Sequence, residues 1–359
     1  MPKKIIITTG GTGGHFFPAS ATAEILLNRG YEVHLIIDAR CKKYINSDLK
    51  YILHVIDCRI NYKNYWTKFL SLLQILSAFY TALLLVYKIK PSIIVGFGSY
   101  ATFPPILAGL LLRVPIIVHE QNCFVGKVNR FFTRFAKKIA LSYEETNNFN
   151  KIYKDKVIYT GNIIRDNIRN IQIKDNFDNN PFRILVFGGS QGAKLFSSLI
   201  PETIKCLIKS NPDIKLYITQ QATKEEQITI NKIYTQFGIN HNLSEFFYDM
   251  DKQYDAHDLV ISRAGASTIA ELSLIGLPAI FIPYPFAAEN HQFYNAKALE
   301  DGHASWCFPQ NIVTPELLAK KLLEIINTRT ILKQASDNLL KRKNYGSAIL
   351  SDTIEAIIS

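Results

Sequence analysis

Twice along this chain an apolar, strand-like run enters a glycine-rich turn and then a helix-length stretch, and this repetition constrains the fold more than any other feature. The first instance is Ile5-Ile6-Ile7 leading to Gly10-Gly11-Thr12-Gly13-Gly14. The second, about half a chain later, is Arg183-Ile184-Leu185-Val186-Phe187 leading to Gly188-Gly189-Ser190-Gln191-Gly192. A strand that passes through glycines directly into a helix opens a doubly wound α/β domain, so two openings imply two such domains. Further Ile- and Val-rich runs at Val33 to Ile37, Ile93 to Val95 and Ile116 to His119 are spaced by helix-length segments, the mark of parallel strands covered on both faces. With 359 residues, 48% of them hydrophobic, the chain can fill two cores. The expected fold is α/β, two Rossmann-like doubly wound domains facing a central cleft. Ligands on such sheets sit outside the carboxyl ends of the strands, which sets the glycine loops at that cleft. Between the two halves, the Asn/Asp-rich stretch Ile171 to Pro181 reads as a surface loop near a boundary.

Lys and Arg exceed Asp and Glu by 41 to 30, and the net charge of +11 favours anionic partners. Nucleic acid is the weakest of these, because no basic cluster is interleaved with base-stacking aromatics. The cysteines, Cys41, Cys58, Cys123, Cys206 and Cys307, are odd in number and scattered, which suggests neither a disulfide framework nor a zinc site and fits a reducing cytoplasm. No apolar stretch of signal-peptide length precedes the first strand. The uncharged run Phe69 to Tyr87 lies between Lys68 and Lys88, at the lower edge of membrane-span length. Ser71, Gln74, Ala78 and Thr81 would line one stripe of a helix there, which favours a core or interfacial helix over a span. Lys63, Lys68, Lys88 and Lys90 around it, and the apolar Ile106 to Leu112 run ending at Arg113, suit docking on an anionic membrane. The same residues also suit a buried helix with solubilising lysines.

Glycine turns let backbone N–H groups approach a phosphate, and the helix that follows adds positive potential. Neither loop has the strict G-x-G-x-x-G form, and Asp38 is a poor match for a dinucleotide ribose contact, so a nicotinamide cofactor is disfavoured. The glycines also have a simpler use, since they permit tight turns. More specific is Ser262-Arg263-Ala264-Gly265-Ala266-Ser267-Thr268-Ile269-Ala270-Glu271-Leu272, where the amides of Ala266, Ser267 and Thr268 would open a helix and could hold a diphosphate without a metal. Glu271, one turn on, could accept hydrogen bonds from both ribose hydroxyls, or be only an acid favoured by the helix dipole. Asp249-Met250-Asp251 has the D-x-D form of a metal-diphosphate site, for which helix N-terminal acids are the simpler explanation.

GGTGGHFFPA at Gly10 to Ala19, VGFGSYATFPP at Val95 to Pro105, HEQN at His119 to Asn122, GNIIR at Gly161 to Arg165, FGGSQGA at Phe187 to Ala193, and SRAGASTIAEL followed by ENHQ at Glu289 to Gln292 stand in one order along the chain. Together they resemble the MurG family, the undecaprenyldiphospho-muramoylpentapeptide N-acetylglucosaminyltransferases of bacterial peptidoglycan synthesis. The resemblance implies the GT-B fold, with a first domain at 1–160, a donor-binding domain at 161–344, and a last helix at about 345–359 packing back onto the first. It also implies transfer of N-acetylglucosamine from UDP-N-acetylglucosamine (UDP-GlcNAc) to lipid I, giving lipid II, at the cytoplasmic face of the inner membrane as a peripheral enzyme. No metal and no cofactor is called for.

By the same resemblance, Thr12, Gly13 and Gly14 lie against the donor's sugar and diphosphate, and Asn122 binds the N-acetylglucosamine. Arg165, Ser190, the Phe247 backbone, Ala266, Ser267, Thr268, Ile269, Ala270, Glu271 and Gln292 surround the nucleotide, with His291 a lesser candidate. His15 is the expected catalytic base, because an imidazole can accept a hydroxyl proton at neutral pH. Glu120 is the alternative acceptor. Two departures stand out: Ile163 occupies a position where the family's GNPxR motif has proline, and Ser99 one where its GFGGY motif has glycine.

Overall fold

The computed structural model describes residues 2–45, 51–58, 65–144, 146–164, 166–172, 177–188, 194–287, 290–342 and 346–359. The chain forms two compact units, Met1–Arg165 with Asn344–Ser359, and Asp166–Lys343. Both are Rossmann-like, with a parallel sheet covered by helices.

In the first unit the strands are β1 (Lys4–Thr8), β2 (Glu32–Ile37), β3 (Ile52–Val55), β4 (Ile93–Gly96), β5 (Ile116–Glu120), β6 (Lys138–Leu141) and β7 (Val157–Tyr159), in the spatial order β3-β2-β1-β4-β5-β6-β7. Every pairing is parallel, with Ile5 beside Val33 on one side and Ile93 on the other. Ile5, Ile6 and Ile7 are all fully buried, which explains the continuous apolar run: successive side chains point to opposite faces and both faces are covered. On one face Ile5, Ile7, Val95 and Ile117 pack with Phe16 of the helix Gly13–Asn28 and with Leu350 and Ile354 of the last helix, Ser347–Ile358. Arg29 ties these helices together, donating to Asp352 at 2.6 Å and Glu355 at 2.8 Å. The return of the chain depends on Gly346, where a Cβ would lie 0.9 Å from the Thr160 carbonyl oxygen.

The other face is covered by the helices Phe103–Leu111 and Tyr65–Ile89. The expected stripe of Ser71, Gln74, Ala78 and Thr81 on the long helix does not hold as one face. Ser71 and Ala78 are buried, whereas Gln74 and Thr81 are exposed. The buried line is Ser71, Ala78, Ala82, Val86 and Ile89, whose steps of seven, four, four and three follow the helical period more closely. Thr81 needs no inward partner because its hydroxyl donates to the Ser77 carbonyl at 2.9 Å. The Ile106 to Leu112 run is likewise mostly interior, Ile106 and Ala108 being fully buried and Leu111 exposed.

In the second unit β8 (Phe182–Phe187), β9 (Leu216–Gln221), β10 (Asn240–Ser244), β11 (Leu259–Ser262), β12 (Ala279–Phe281) and β13 (Trp306–Cys307) lie in the order β10-β9-β8-β11-β12-β13, again all parallel. The helix Lys224–Gln236 starts with a capping box between Thr223 and Glu226, and Pro315–Asn327 with Thr314 as cap and Pro315 in its first turn. The described end of the stretch 171–181, residues 177–181, is more than a surface loop. Phe177 is buried in this unit's core, its carbonyl accepts from Arg329 at 3.0 Å, and Asn179 donates to Asp258 at 2.8 Å.

Candidate active site

In the first unit the strand order reverses between β1 and β4, and ligands on such sheets bind at the carboxyl ends beside that reversal. Three segments meet this edge: Thr9 to Gly14 after β1, Phe97 to Ser99 after β4, and Gln121 to Asn122 after β5. Close neighbours account for the glycines. A Cβ at Gly10 would stand 2.4 Å from the Cβ of Ala101, and Gly98, at φ +76, would bring one to 3.3 Å from His15 Cε1. Asp38 braces the first turn from beneath. Its buried carboxylate accepts from Gly11 N at 3.0 Å and from Arg40 N and Nε at 3.0 and 2.9 Å, so its place is structural. Thr12 is the N-cap of the helix Gly13–Asn28 in extended conformation, its carbonyl accepting from the amides of His15 and Phe16 at 3.1 Å. Gly13 and Gly14 thus form a helix N-terminus, where amides and the helix dipole favour an anion.

His15 is half-buried in the first turn of that helix, with Nδ1 2.7 Å from the Phe97 carbonyl oxygen. A carbonyl only accepts, which assigns the proton to Nδ1 and makes Nε2 the basic nitrogen. Glu120, the other base considered, is committed elsewhere. Its Oε1 accepts from Asn122 N at 3.2 Å and Asn122 Nδ2 at 3.0 Å, and its Oε2 from Gly126 N at 3.0 Å and Asn129 Nδ2 at 2.9 Å. A buried carboxylate with four donors organises its loop and is poorly placed to collect a substrate proton.

In the second unit the reversal falls between β8 and β11. After β11 the chain passes Gly265, the N-cap at φ −70 and ψ 143, into the helix Ala266–Ile275. Gly265 has no side chain with which to cap this helix, whose first turn carries the amides of Ala266, Ser267 and Thr268, and amides at such a helix start favour an anion. Ile269 and Ala270 are buried beneath them. Glu271 is buried and accepts a hydrogen bond at 2.9 Å from the hydroxyl of Tyr254, on the short helix Met250–Ala256. Arg263 is structural: it donates to the carbonyls of Ile282 at 2.9 Å and Pro283 at 3.1 Å and to Gln310 Oε1 at 2.8 Å, and its guanidinium lies over the Phe196 and Tyr284 rings. Gln292 holds the neighbouring loop by accepting from Tyr284 N at 2.9 Å, and His291 begins its helix. Phe247 is buried ahead of Met250–Ala256. Asp249 accepts from Gln253 Nε2 at 3.3 Å within its own first turn, while Asp251 lies in that turn. Arg165, Ser190 and Glu289 fall outside the described residues.

Two domain families match this architecture in chain order: the glycosyltransferase family 28 N-terminal domain over residues 5–141, and the family 28 C-terminal domain over residues 183–349. The chain belongs to glycosyltransferase family 28. Among its relatives in this family is a Rickettsia canadensis protein named UDP-N-acetylglucosamine–N-acetylmuramyl-(pentapeptide) pyrophosphoryl-undecaprenol N-acetylglucosamine transferase, 53% identical over 99% of this chain and 100% of that one. The Rickettsia bellii protein of the same name is 52% identical over 99% of this chain and 100% of its own length. Among solved structures, Acinetobacter baumannii MurG superposes with a TM-score of 0.77 at 28% identity, covering 99% of this chain and 100% of that chain. A kitacinnamycin glycosyltransferase structure shares the fold alone, with a TM-score of 0.70 at 12% identity over 100% of both chains.

Both departures from the family motifs have a structural setting. Ile163 is buried in the first unit's core beside the last helix, so an aliphatic side chain takes the proline's place by packing. Ser99 adopts φ +73 and ψ 155, a conformation that costs a non-glycine residue about 1 to 3 kcal/mol. Its carbonyl is held by the Thr102 amide at 3.2 Å and hydroxyl at 2.9 Å. Sequence reasoning passed over Tyr254 and Gln121. Tyr254 lies beyond the Asp249-Met250-Asp251 triplet, and Gln121 carries no signal of its own between Glu120 and Asn122.

Proposed function

We propose that this family 28 glycosyltransferase moves N-acetylglucosamine from UDP-GlcNAc to the C4 hydroxyl of the N-acetylmuramyl sugar of lipid I, forming lipid II. The observation that carries this reading is identity of 53% over essentially the whole chain with a transferase named for that reaction. Chemical support comes from both units. The first-turn amides of Ala266–Ile275 supply a positive end for a diphosphate leaving group, and such preorganised donors stabilise charge as it develops. Glu271 takes the ribose hydroxyls, with Arg165, Ser190, Phe247 and Gln292 around the nucleotide. Thr12, Gly13, Gly14 and Asn122 address the sugar and diphosphate, while Nε2 of His15 takes the proton of the attacking hydroxyl. Direct displacement inverts the α-linked donor to a β-linked product. Incubation with labelled UDP-GlcNAc and a short-chain lipid I analogue is expected to give a disaccharide-lipid product. Donor binding without transfer to that acceptor would overturn the reading in favour of another acceptor or a binding module.

The enzyme is further proposed to work from the cytoplasmic face of the inner membrane, docking there through its first unit. Among the described residues no helix is long and apolar enough to cross a membrane. Outward-facing Leu73, Leu76, Tyr80, Leu84 and Tyr87 form a continuous apolar stripe on Tyr65–Ile89, with Lys88 and Lys90 at its end. Lys63 and the side chain of Lys68 lie outside the described residues. Apolar side chains flanked by cations suit an anionic interface, at about 1 kcal/mol for each nearby Lys or Arg. Sedimentation with vesicles is expected to rise with anionic lipid content and to be largely reversed by salt. Indifference to both would remove the proposed surface.

A further inference from the structure

His15 is addressed at Nδ1 by two groups, the Phe97 carbonyl and the side-chain amide of Gln121. Gln121 is almost fully buried, and on its strand side lies a second imidazole, His119, the penultimate residue of β5. His119 has no exposed surface, and its ring centroid is 4.8 Å from that of Phe97. Among the described residues, neither ring nitrogen of His119 nor Gln121 Oε1 has a hydrogen-bond partner. Burial pushes the His119 pKa down to about 3, against an opposing effect of the adjacent Gln121, so this ring stays neutral at physiological pH.

Buried polar atoms left unpaired are costly, and here one rotation pairs them. With Nδ1 of His15 protonated toward Phe97, the Gln121 Nε2 that faces it sets donor against donor. A half-turn of the amide about its last bond exchanges its ends. Oε1 then accepts from His15 Nδ1–H beside the Phe97 carbonyl, and Nε2 donates to a ring nitrogen of His119. The nearest carboxylate on β5, Glu120, is spent on Asn122, Gly126 and Asn129 and does not compete. Gly98 leaves the room for this arrangement, since a Cβ there would stand 3.4 Å from His15 Nδ1 and 3.2 Å from Asn129 Nδ2.

We infer that Gln121, oriented by the buried His119, is the positioning residue that fixes His15 with its proton on Nδ1 and stabilises the imidazolium formed when Nε2 takes the acceptor's proton. The inference rests on the base role proposed for His15 and adds a second acceptor that, with the Phe97 carbonyl, holds its tautomer. Two acceptors on one N–H resemble the third member of a catalytic triad, with a neutral amide where a carboxylate would stand.

The test is long-range 1H–15N spectroscopy of the imidazoles in the full-length protein, joined to the pH profile of kcat/KM. Wild type is expected to show His15 protonated at Nδ1. Gln121→Leu leaves only the Phe97 carbonyl at Nδ1, and is expected to raise the Nε2–H share of His15 above its wild-type level and to lower kcat about ten-fold at little-changed donor KM. Gln121→Glu, of equal size, places a carboxylate beside Nδ1 and is expected to raise the pH of the acid limb. A wild-type tautomer in Gln121→Leu, or an unmoved acid limb in Gln121→Glu, would overturn the inference. A shifted tautomer in Gln121→Leu alongside full activity of His15→Ala would instead retain the positioning role and reject His15 as the base.

Discussion

His15→Ala is expected to lower turnover at neutral pH by about a hundred-fold or more while donor affinity stays near its wild-type value. The separation follows from where the residues sit. The groups proposed to hold the nucleotide, from Ala266 to Glu271, belong to the second unit, whereas His15 belongs to the first. Its ring is steered by the Phe97 carbonyl at 2.7 Å, which leaves Nε2 as the proton acceptor. Removing the imidazole leaves sugar-nucleotide leaving-group assistance in place and takes away only proton transfer, so the loss falls on kcat. Single-turnover rates at saturating donor, paired with calorimetric donor binding, measure the two effects separately. Added imidazole is expected to restore part of the rate, because the space beside Gly98 is left open. Near-normal turnover in the variant would remove His15 from proton transfer, and Glu120 is a weak substitute given its four hydrogen-bond donors.

The second large effect is expected on binding. Glu271→Ala should weaken UDP-GlcNAc affinity about ten-fold or more, since a hydrogen bond to a charged group is worth roughly 1.5 to 3 kcal/mol. The carboxylate is already oriented in the absence of ligand by the Tyr254 hydroxyl at 2.9 Å, so little ordering cost falls on the binding step. Truncation also removes the carboxylate that accepts from the buried Tyr254 hydroxyl and costs stability. Glu271→Gln separates these consequences, because its amide oxygen can still accept from Tyr254 while the charge is gone. Calorimetry on both variants decides the case: donor affinity unchanged in Glu271→Ala would take the residue out of the nucleotide site.

Much of the architecture was legible because buried parallel strands write themselves as unbroken apolar runs. Ile5 to Ile7 and Arg183 to Phe187 announced β1 and β8, and the glycine turn after β1 lies where strand order reverses, whereas residues 189–193 after β8 fall outside the described residues. The helix start at Ala266 was equally plain, as small residues after a strand leave few alternatives. Helix faces were harder to read. The stripe of Ser71, Gln74, Ala78 and Thr81 divided between core and solvent because Thr81 satisfies its hydroxyl within its own helix and Gln74 is content in water. Phe177 was hidden among polar neighbours for a similar reason, since one aromatic anchor leaves no period to detect.

By itself the sequence determined the two parallel-sheet units, the glycine-bearing turn after β1 and the family, all of which rest on local composition and on residue order. Only the tertiary structure decided what the individual polar groups do. Asp38 and Glu120 brace loops, Arg263 ties strand ends together, Tyr254 orients Glu271, and Gln121 stands between His15 and His119. Each of these roles is a matter of which donor meets which acceptor within about 3 Å, and several of those partners come from a different strand, helix or loop. Residue type limits what a side chain can offer; packing decides which partner takes it.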